Sequence, residues 1–253
     1  MIDTHCHLDF PDYNDDRAAV LAAAKSAGIA KMVNIGCDLK SSQASVALAE
    51  QHPEIFAAVG FHPHDAKNYD DRAEQQLREL ANNFKVVAIG EVGLDYYRDR
   101  SPRDVQREVF IRQMRLAREL GLPLVIHIRD AYEEAIDMLI AEKAYEGNVV
   151  LHCFSGTLKD AQRALDYGMY LSFGGVLTFN NSRTPELVQQ VPLEQILLET
   201  DAPFLTPHPH RGTRNQPAMV ALVYQKLAAV LKRDLAELES LIDGNANRFF
   251  EFE

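Results

Sequence analysis

Short apolar segments alternate with longer amphipathic ones from one end of the chain to the other. The short segments are rich in β-branched and other apolar residues, a pattern typical of strands buried on both faces. Strands of this kind with helical segments between them predict a parallel sheet covered by helices. The eight predicted strands cover residues 1–7, 31–36, 55–60, 86–91, 124–127, 149–152, 169–174 and 196–201.

The segments between the strands carry apolar residues at helical spacing. Val20 and Ala24 share one helical face, and Ser41 or Ser42 is placed to cap the next helix. Eight strand–helix units in 253 residues fit a closed (β/α)8 TIM barrel, an α/β fold, better than an open sheet. No linker or change of composition marks a boundary, so we expect one domain over residues 1–253.

Composition excludes some classes of protein. No apolar run approaches the roughly 18 residues of a membrane span, and no basic region precedes an apolar stretch, so we expect no membrane association and no signal peptide. Three widely spaced cysteines, Cys6, Cys37 and Cys153, favour a reducing compartment, and we expect a cytoplasmic protein. A catalytic thiol at Cys6 or Cys153 is disfavoured, because strand alternation turns each away from the neighbouring histidines.

Polar residues that bind metal ions stand where the predicted strands end. His5 and His7 share one face of the first strand, since alternate side chains of a strand point the same way. In (β/α)8 barrels, catalytic residues lie at the carboxyl ends of the strands. A capping aspartate, a core histidine or a glutamate facing water would explain each residue singly, but their coincidence on five strands predicts a metal site. The candidate ligands are His5, His7, Glu91, His127, His152 and Asp201.

The formal net charge of −11 opposes a broad basic surface for duplex DNA, although a local basic rim can still bind phosphates. Arg129, Arg211 and Arg214 are candidates for a phosphate clamp, and salt bridges across the barrel mouth are the alternative for Arg211 and Arg214. Tyr96 and Tyr97 follow the Glu91 strand and either stack on a base or pack a loop.

Six motifs together make the chain resemble the TatD family of metal-dependent deoxyribonucleases, within the amidohydrolase-like barrel enzymes. One element departs from the family pattern: Gln216 stands where Glu is usual, which keeps the hydrogen-bonding shape and removes the charge. The motifs are Asp-Thr-His-Cys-His at 3–7, Gly-Phe-His-Pro-His at 60–64, Gly-Glu-Val-Gly-Leu-Asp at 90–95, His-Ile-Arg-Asp-Ala at 127–131, His-Cys-Phe-Ser-Gly at 152–156 and Glu-Thr-Asp-Ala-Pro at 199–203.

The resemblance implies a TIM barrel with two divalent metal ions, Mg²⁺, Mn²⁺ or Zn²⁺, held by the same six candidate ligands. Two such ions activate a water molecule and stabilise the oxygens of a phosphodiester. Glu91 and Asp201 are then the catalytic residues: Asp201 orients or deprotonates the water, with a purely structural ligand role as its alternative. Glu91 bridges the ions, His5, His7 and Asp201 serve one, and His127 and His152 serve the other.

The function expected from these features is that of a deoxyribonuclease acting on single-stranded or frayed DNA ends as a monomeric exonuclease, with RNA as a second substrate class. His62 is expected to contact substrate phosphate rather than metal, and His64 is either a site residue or an ordinary turn residue. The nearest alternative is hydrolysis of another ester or amide, in a small molecule or a misacylated tRNA. A catalytically inactive barrel kept as a binding partner is disfavoured, because the ligand set is complete.

Overall fold

The apolar segments form eight parallel strands within residues 1–252, which the computed structural model describes; Glu253, at the end of the expected domain, lies outside the described residues. The strands pair in chain order, each with the next. They are β1 Ile2–Cys6, β2 Lys31–Ile35, β3 Ile55–Val59, β4 Val86–Asp95, β5 Leu124–Arg129, β6 Val149–Leu151, β7 Tyr170–Phe173 and β8 Ile196–Leu198.

The sheet closes on itself where β1 meets the segment after β8. Cys6 forms a parallel bridge with Ala202, and the Asp201 peptide N–H donates to the His5 carbonyl at 2.9 Å. The His7 N–H donates in turn to the Ala202 carbonyl at 2.8 Å. These contacts, with helices between successive strands, confirm the predicted (β/α)8 barrel.

The helices follow the predicted alternation, with one addition and one different cap. A short helix between β7 and β8 was not predicted. The second helix is capped by Asp38, whose carboxylate accepts from the Ser41 N–H at 2.7 Å, so the prediction of a serine cap was wrong. The helices are α1 Arg17–Ser26, α2 Leu39–Gln51, α3 Asp71–Leu80, α4 Arg103–Leu120, α5 Tyr132–Ala141, α6 Leu158–Asp166, α7 Thr184–Val188, α8 Val220–Leu231 and α9 Leu235–Phe250.

The N-terminal end of the barrel is filled with apolar side chains and covered by α9. Phe249 and Phe250 of α9 are buried in one cluster with residues from the first halves of the strands, among them Val33, Phe56 and Val125. Such burial is the main stabilising contribution in a fold of this kind. No helix of the described chain combines the length and the apolar character that crossing a membrane requires.

At the C-terminal end of the barrel, the observed strand ends differ from the predicted ones, most of all in β4 and β8. β4 does not end at Glu91 but continues to Asp95, because past a register irregularity it still pairs with β5, with Gly93 opposite His127. β8 ends at Leu198, so Asp201 lies in the segment after the strand rather than on it.

Candidate metal centre

The carboxylate of Glu91 lies at the centre of the strand ends and is buried. Its Oε1 is 2.8 Å from His127 Nδ1 and 2.8 Å from His152 Nε2. Its Oε2 faces the other way, 3.4 Å from His5 Nε2 and 3.8 Å from His7 Nε2. One carboxylate therefore separates two pairs of imidazoles and presents one oxygen to each pair.

Asp201 reaches the same cluster from the segment after β8. Its Oδ1 lies 3.5 Å from His7 Nε2 and 3.8 Å from His5 Nε2. The backbone φ of Asp201 is 55°, a left-handed conformation that aspartate tolerates better than most residues. Buried Asp3 holds this segment in place, accepting from the Thr200 N–H at 2.8 Å and the Thr200 hydroxyl at 2.6 Å.

The donor set fits divalent metal ions. His5 Nε2 and His7 Nε2 are 3.2 Å apart, and His127 Nδ1 and His152 Nε2 are 3.4 Å apart. Two nitrogens, each about 2.1 Å from one tetrahedral ion, are separated by about 3.4 Å, so a shared cation relieves the repulsion between facing lone pairs. Among the described residues, donor atoms close enough to share an ion occur in the groups His5–His152–Asp201, His5–His7–Glu91 and His62–Glu91–His127.

The electrostatics keep both central carboxyls ionised. Burial alone would raise the pKa of Glu91, but the neighbouring His152 and His62 and the hydrogen bonds from His127 and His152 hold that pKa well below its usual value. Burial acts in the same direction on Asp201, and the hydrogen bond from His7 and the surrounding imidazoles lower its pKa. Both groups are therefore carboxylates, which is the form that binds cations.

Hydrogen bonds on the outer ring nitrogens orient two of the histidines. His7 Nδ1 donates to the Ile35 carbonyl at 3.0 Å, and His127 Nε2 donates to Asp95 Oδ2 at 3.1 Å. When the ring is neutral, its inward nitrogen carries the lone pair that a ligand needs, and when the ring is protonated the same nitrogen donates to Glu91 or Asp201. Sequence reasoning overlooked Asp95, although it shares a strand face with Glu91 and that spacing was available as a signal.

Glu199 is a second buried carboxylate that sequence reasoning overlooked. It accepts from the Ser172 hydroxyl at 2.6 Å and from the Cys153 N–H at 2.7 Å. Its Oε1 is also 3.4 Å from His152 Nδ1, but the contact lacks hydrogen-bond geometry, and that nitrogen has no hydrogen-bond partner among the described residues. The position of Glu199, two residues before Asp201, was the available signal.

The structure brings His62 and His64 to the Oε1 side of Glu91. His62 Nε2 lies 3.5 Å from Glu91 Oε1, and its ring centroid is 4.4 Å from that of His127. His64 Nε2 donates to the same Asp95 oxygen as His127, at 2.9 Å. His64 is thus more than a turn residue, because it shares the carboxylate that orients His127.

The three predicted arginines do not gather into one clamp. Arg214 forms a two-pronged ion pair with Asp16, with contacts of 3.0 and 2.6 Å, which is the salt-bridge alternative. Arg211 stacks 3.8 Å above Phe179 and donates to a backbone carbonyl at 2.9 Å. Arg129 stacks 3.9 Å above the ring of Tyr97 and forms no salt bridge with a carboxylate within residues 1–252.

The two tyrosines after Glu91 differ in their surroundings. The Tyr96 hydroxyl donates to Glu134 at 2.8 Å and Arg103 lies over its ring, so Tyr96 packs the loop. Tyr97 is 58% exposed, with Arg129 on one face. Tyr97 is the one of the two that a base can reach.

Cys6 and Cys153 lie in surroundings that disfavour a nucleophilic thiolate. The Cys6 thiol donates to the Val33 carbonyl at 3.5 Å. Burial raises the pKa of Cys6 and of Cys153 well above the usual value, and nearby carboxylates act in the same direction. Each thiol therefore keeps its proton, in line with the structural role expected from the sequence.

Comparison with known proteins identifies the family of the chain. The family model for TatD-related DNase matches residues 2–251. The metal-dependent hydrolase YabD of Bacillus subtilis is 40% identical, covering 99% of this chain and 98% of its own. The 3'-5' ssDNA/RNA exonuclease TatD of Cronobacter sakazakii is 35% identical, with 99% and 97% covered.

A solved structure gives the same result for the fold. The TatD homologue YJJV of Escherichia coli superposes with a TM-score of 0.94 at 31% identity, covering 100% of this chain and 98% of its own. Family model, sequence relatives and fold all point to one group of enzymes. The chain belongs to the TatD-related DNase family and is a metal-dependent hydrolase.

Proposed function

We propose that this hydrolase is an exonuclease that cleaves phosphodiester bonds at single-stranded or frayed DNA ends, with RNA as a second substrate class. The observation that carries the proposal is the placement of Glu91, whose two oxygens face separate imidazole pairs. A bridging carboxylate of this kind is typical of centres with two ions, which suit phosphodiester hydrolysis. The name of the Cronobacter relative, a 3'-5' ssDNA/RNA exonuclease, supports the same substrate class.

Six residues would hold the ions, with Glu91 shared. When bound, two divalent cations supply an acidified water and neutralise charge on the phosphoryl oxygens. The histidine-rich set suits Zn²⁺ or Mn²⁺, and Mg²⁺ is retained as a third candidate from the family resemblance. We assign His5, His7 and Asp201 to one ion and His127 and His152 to the other.

We assign to Asp201 the acceptance of a proton from the attacking water. Its Oδ1 faces His5 and His7, while Oδ2 has no hydrogen bond from any described residue. The side chain is 14% exposed, so Asp201 borders the open mouth rather than the sealed interior. A carboxylate held as a base beside the nucleophile matches the requirement for general-base catalysis.

The surroundings of the centre favour a flexible end over a rigid duplex. The net charge of −11 gives little support to long tracking contacts along DNA. A cleft of about 910 Å³, bordered by Arg129, Tyr132 and Ser155, opens beside the strand ends. Arg129 there can bind a phosphate and Tyr97 can stack on a base, which suits a single strand entering a recess.

The test uses end-labelled single strands, blunt duplexes and closed circles of matched sequence. We expect release of mononucleotides from single strands, slower release from blunt duplexes and no cleavage of circles. Chelation should abolish each activity, and Mg²⁺, Mn²⁺ or Zn²⁺ should restore it. Cleavage of circles as fast as linear strands would make the protein a general phosphodiesterase. Hydrolysis of simple esters with no turnover of any nucleic acid would favour the alternative ester or amide substrate.

Three further expectations have no structural test and stay predictions: a cytoplasmic location, a monomeric state and one domain over residues 1–253. Gel filtration with light scattering would measure the oligomeric state directly.

A further inference from the structure

His62 and His7 both point Nε2 toward Glu91, but their outer nitrogens have opposite partners. His7 Nδ1 faces the Ile35 carbonyl, which can only accept a hydrogen bond. His62 Nδ1 faces the peptide N–H of His64 at 3.1 Å, which can only donate. The hydrogen bonds therefore favour a proton on Nδ1 in His7 and a proton on Nε2 in His62.

A neutral imidazole carries one proton, and the outer partner decides which nitrogen holds it. His7 must carry the proton on Nδ1, which leaves a lone pair on the inward Nε2. His62 must keep Nδ1 unprotonated to accept the His64 N–H, so its proton lies on the inward Nε2. Metal binding at that Nε2 would require an imidazolate or loss of the His64 hydrogen bond. Neutral His62 thus presents an N–H toward Glu91, whereas neutral His7 presents a lone pair.

The ring of His62 is held in this orientation by its neighbours. His62 begins a short 3-10 turn, Pro63–Asn68, whose first free N–H it caps. Turning the ring over would replace Nδ1 with a carbon and leave the His64 N–H without its acceptor. His64 is itself fixed at both ends: its Nε2 donates to Asp95, and its carbonyl accepts from the Ser101 hydroxyl at 2.8 Å.

The inward N–H of His62 has no good acceptor in the protein. The nearest is Glu91 Oε1 at 3.5 Å, which is beyond the usual range for an N–H···O hydrogen bond. His62 is only 8% exposed, and its Nε2 has no hydrogen bond to any described residue. A phosphoryl oxygen at the centre would be a strong, charged acceptor for it.

We propose that His62 is a hydrogen-bond donor to a phosphoryl oxygen of the substrate and not a metal ligand, and that His64 is the positioning residue that sets its tautomer. This inference rests on the proposed phosphodiesterase function for the identity of the acceptor. The placement of the proton does not depend on it. His62 would bind and stabilise charge on the phosphate in the transition state, as donors in other hydrolytic sites do.

The first experiment locates the proton. Long-range ¹H–¹⁵N correlation spectra of the ¹⁵N-labelled protein distinguish protonated from unprotonated ring nitrogens. We expect His62 protonated on Nε2 and His7 protonated on Nδ1, and addition of Zn²⁺ should leave the His62 pattern unchanged. A proton on Nδ1 of His62, or a Zn²⁺-induced change at its Nε2, would overturn the proposal. No substitution is needed, so failure to fold cannot obscure the result.

The second experiment compares His62→Ala and His62→Gln with His127→Ala. We expect the two His62 variants to keep the wild-type number of bound metal ions, measured by mass spectrometry, while His127→Ala loses metal. His62→Ala should lower kcat/KM on single-stranded DNA about 100-fold, and His62→Gln, which keeps an N–H donor, should recover part of the loss. Loss of metal from His62→Ala contradicts the donor role. Inactivity of the wild type on all nucleic acids would overturn the proposed function, while the proton position would still decide the assignment of His62.

Discussion

The two ends of the barrel interior bury very different side chains. At the N-terminal end, Phe249 and Phe250 of α9 pack against apolar strand residues in a single cluster. At the C-terminal end, Glu91, His5 and His152 are buried just as deeply, and His5 Nδ1 and His152 Nδ1 have no hydrogen-bond partner among the described residues. Burial stabilises the fold at the first end, whereas at the second it removes ionisable groups from water, which is unfavourable unless they are paired.

The apolar end of the barrel contributes mainly to stability, and the polar end contributes mainly to metal binding and catalysis. An apolar layer tolerates apolar side chains of similar volume, and its contribution is measured in the free energy of unfolding. A cluster of imidazoles and carboxylates instead becomes favourable when cations occupy it, so its contribution is measured in metal affinity and rate. Substitutions at the two ends should therefore change different observables.

Glu91→Ala should have the largest effect, because one carboxylate faces both imidazole pairs. We expect loss of bound metal and a fall in hydrolysis of at least about 1,000-fold, since the ions supply several kcal/mol of transition-state stabilisation. Metal content by mass spectrometry beside the initial rate tests this. Glu142→Ala, which removes a carboxylate paired with Arg115 on the surface, is the control and should keep both. A Glu91→Ala protein with full metal content would rule out the bridging role.

Phe249→Ala is the matching change at the apolar end. Truncating a buried phenylalanine should reduce the free energy of unfolding by about 3–5 kcal/mol, through lost burial and the cavity left behind. Urea unfolding measures the loss, and the rate per folded, metal-loaded molecule should stay at the wild-type value. Phe84→Ala, at a side chain that is 76% exposed, should change stability little. A Phe249→Ala enzyme that is stable but slow would contradict the separation of the two ends.

Asp201→Asn tests whether Asp201 acts only as a metal ligand or also as a general base. Asparagine keeps an oxygen near His5 and His7 but cannot take up a proton at neutral pH. We expect most of the metal to remain and turnover to fall about 100-fold or more, the usual contribution of a general base. Single-turnover rates on metal-loaded protein make the comparison. A rate close to wild type would reduce Asp201 to a ligand.

The sequence was sufficient for the barrel and for the six candidate ligands that lie together at its polar end. Apolar strands with helical spacing between them depend on local chemistry, which a single sequence displays. The contacts that the surrounding residues make with the rest of the protein were harder to predict from the sequence. The ion pair of Arg214 with Asp16 joins positions far apart in the chain, and no local sequence pattern predicts it. The extension of β4 to Asp95 depends on its pairing with β5, which is equally non-local.

Asp95→Asn tests one of those overlooked contacts. The aspartate accepts from His127 Nε2, which leaves the lone pair of the neutral ring on the inward Nδ1. An asparagine amide can donate to the same nitrogen and favour the tautomer with the proton on Nδ1. We expect metal affinity to weaken about 10–100-fold, the usual effect of losing such an outer partner, measured by competition with a chelator. Asp104→Asn, an exposed change in the first turn of α4, is the control, and equal affinity in both variants would remove Asp95 from the site.

The smallest expected effect distinguishes Arg129 from Arg214, which the sequence analysis both named as candidate phosphate contacts, with a salt bridge as the alternative for Arg214. Arg129 lies beside the cleft with no carboxylate partner in the described chain, whereas Arg214 is held by Asp16. Arg129→Ala should raise KM for single-stranded DNA about fivefold and reduce the slope of log affinity against log salt by about 0.7, the loss of one phosphate contact. Arg214→Ala should leave the slope unchanged, because its charge is already neutralised. The wild-type slope should itself be shallow, as two or three phosphate contacts require. A slope that falls for Arg214→Ala and not for Arg129→Ala would place the strand on the opposite side of the barrel mouth.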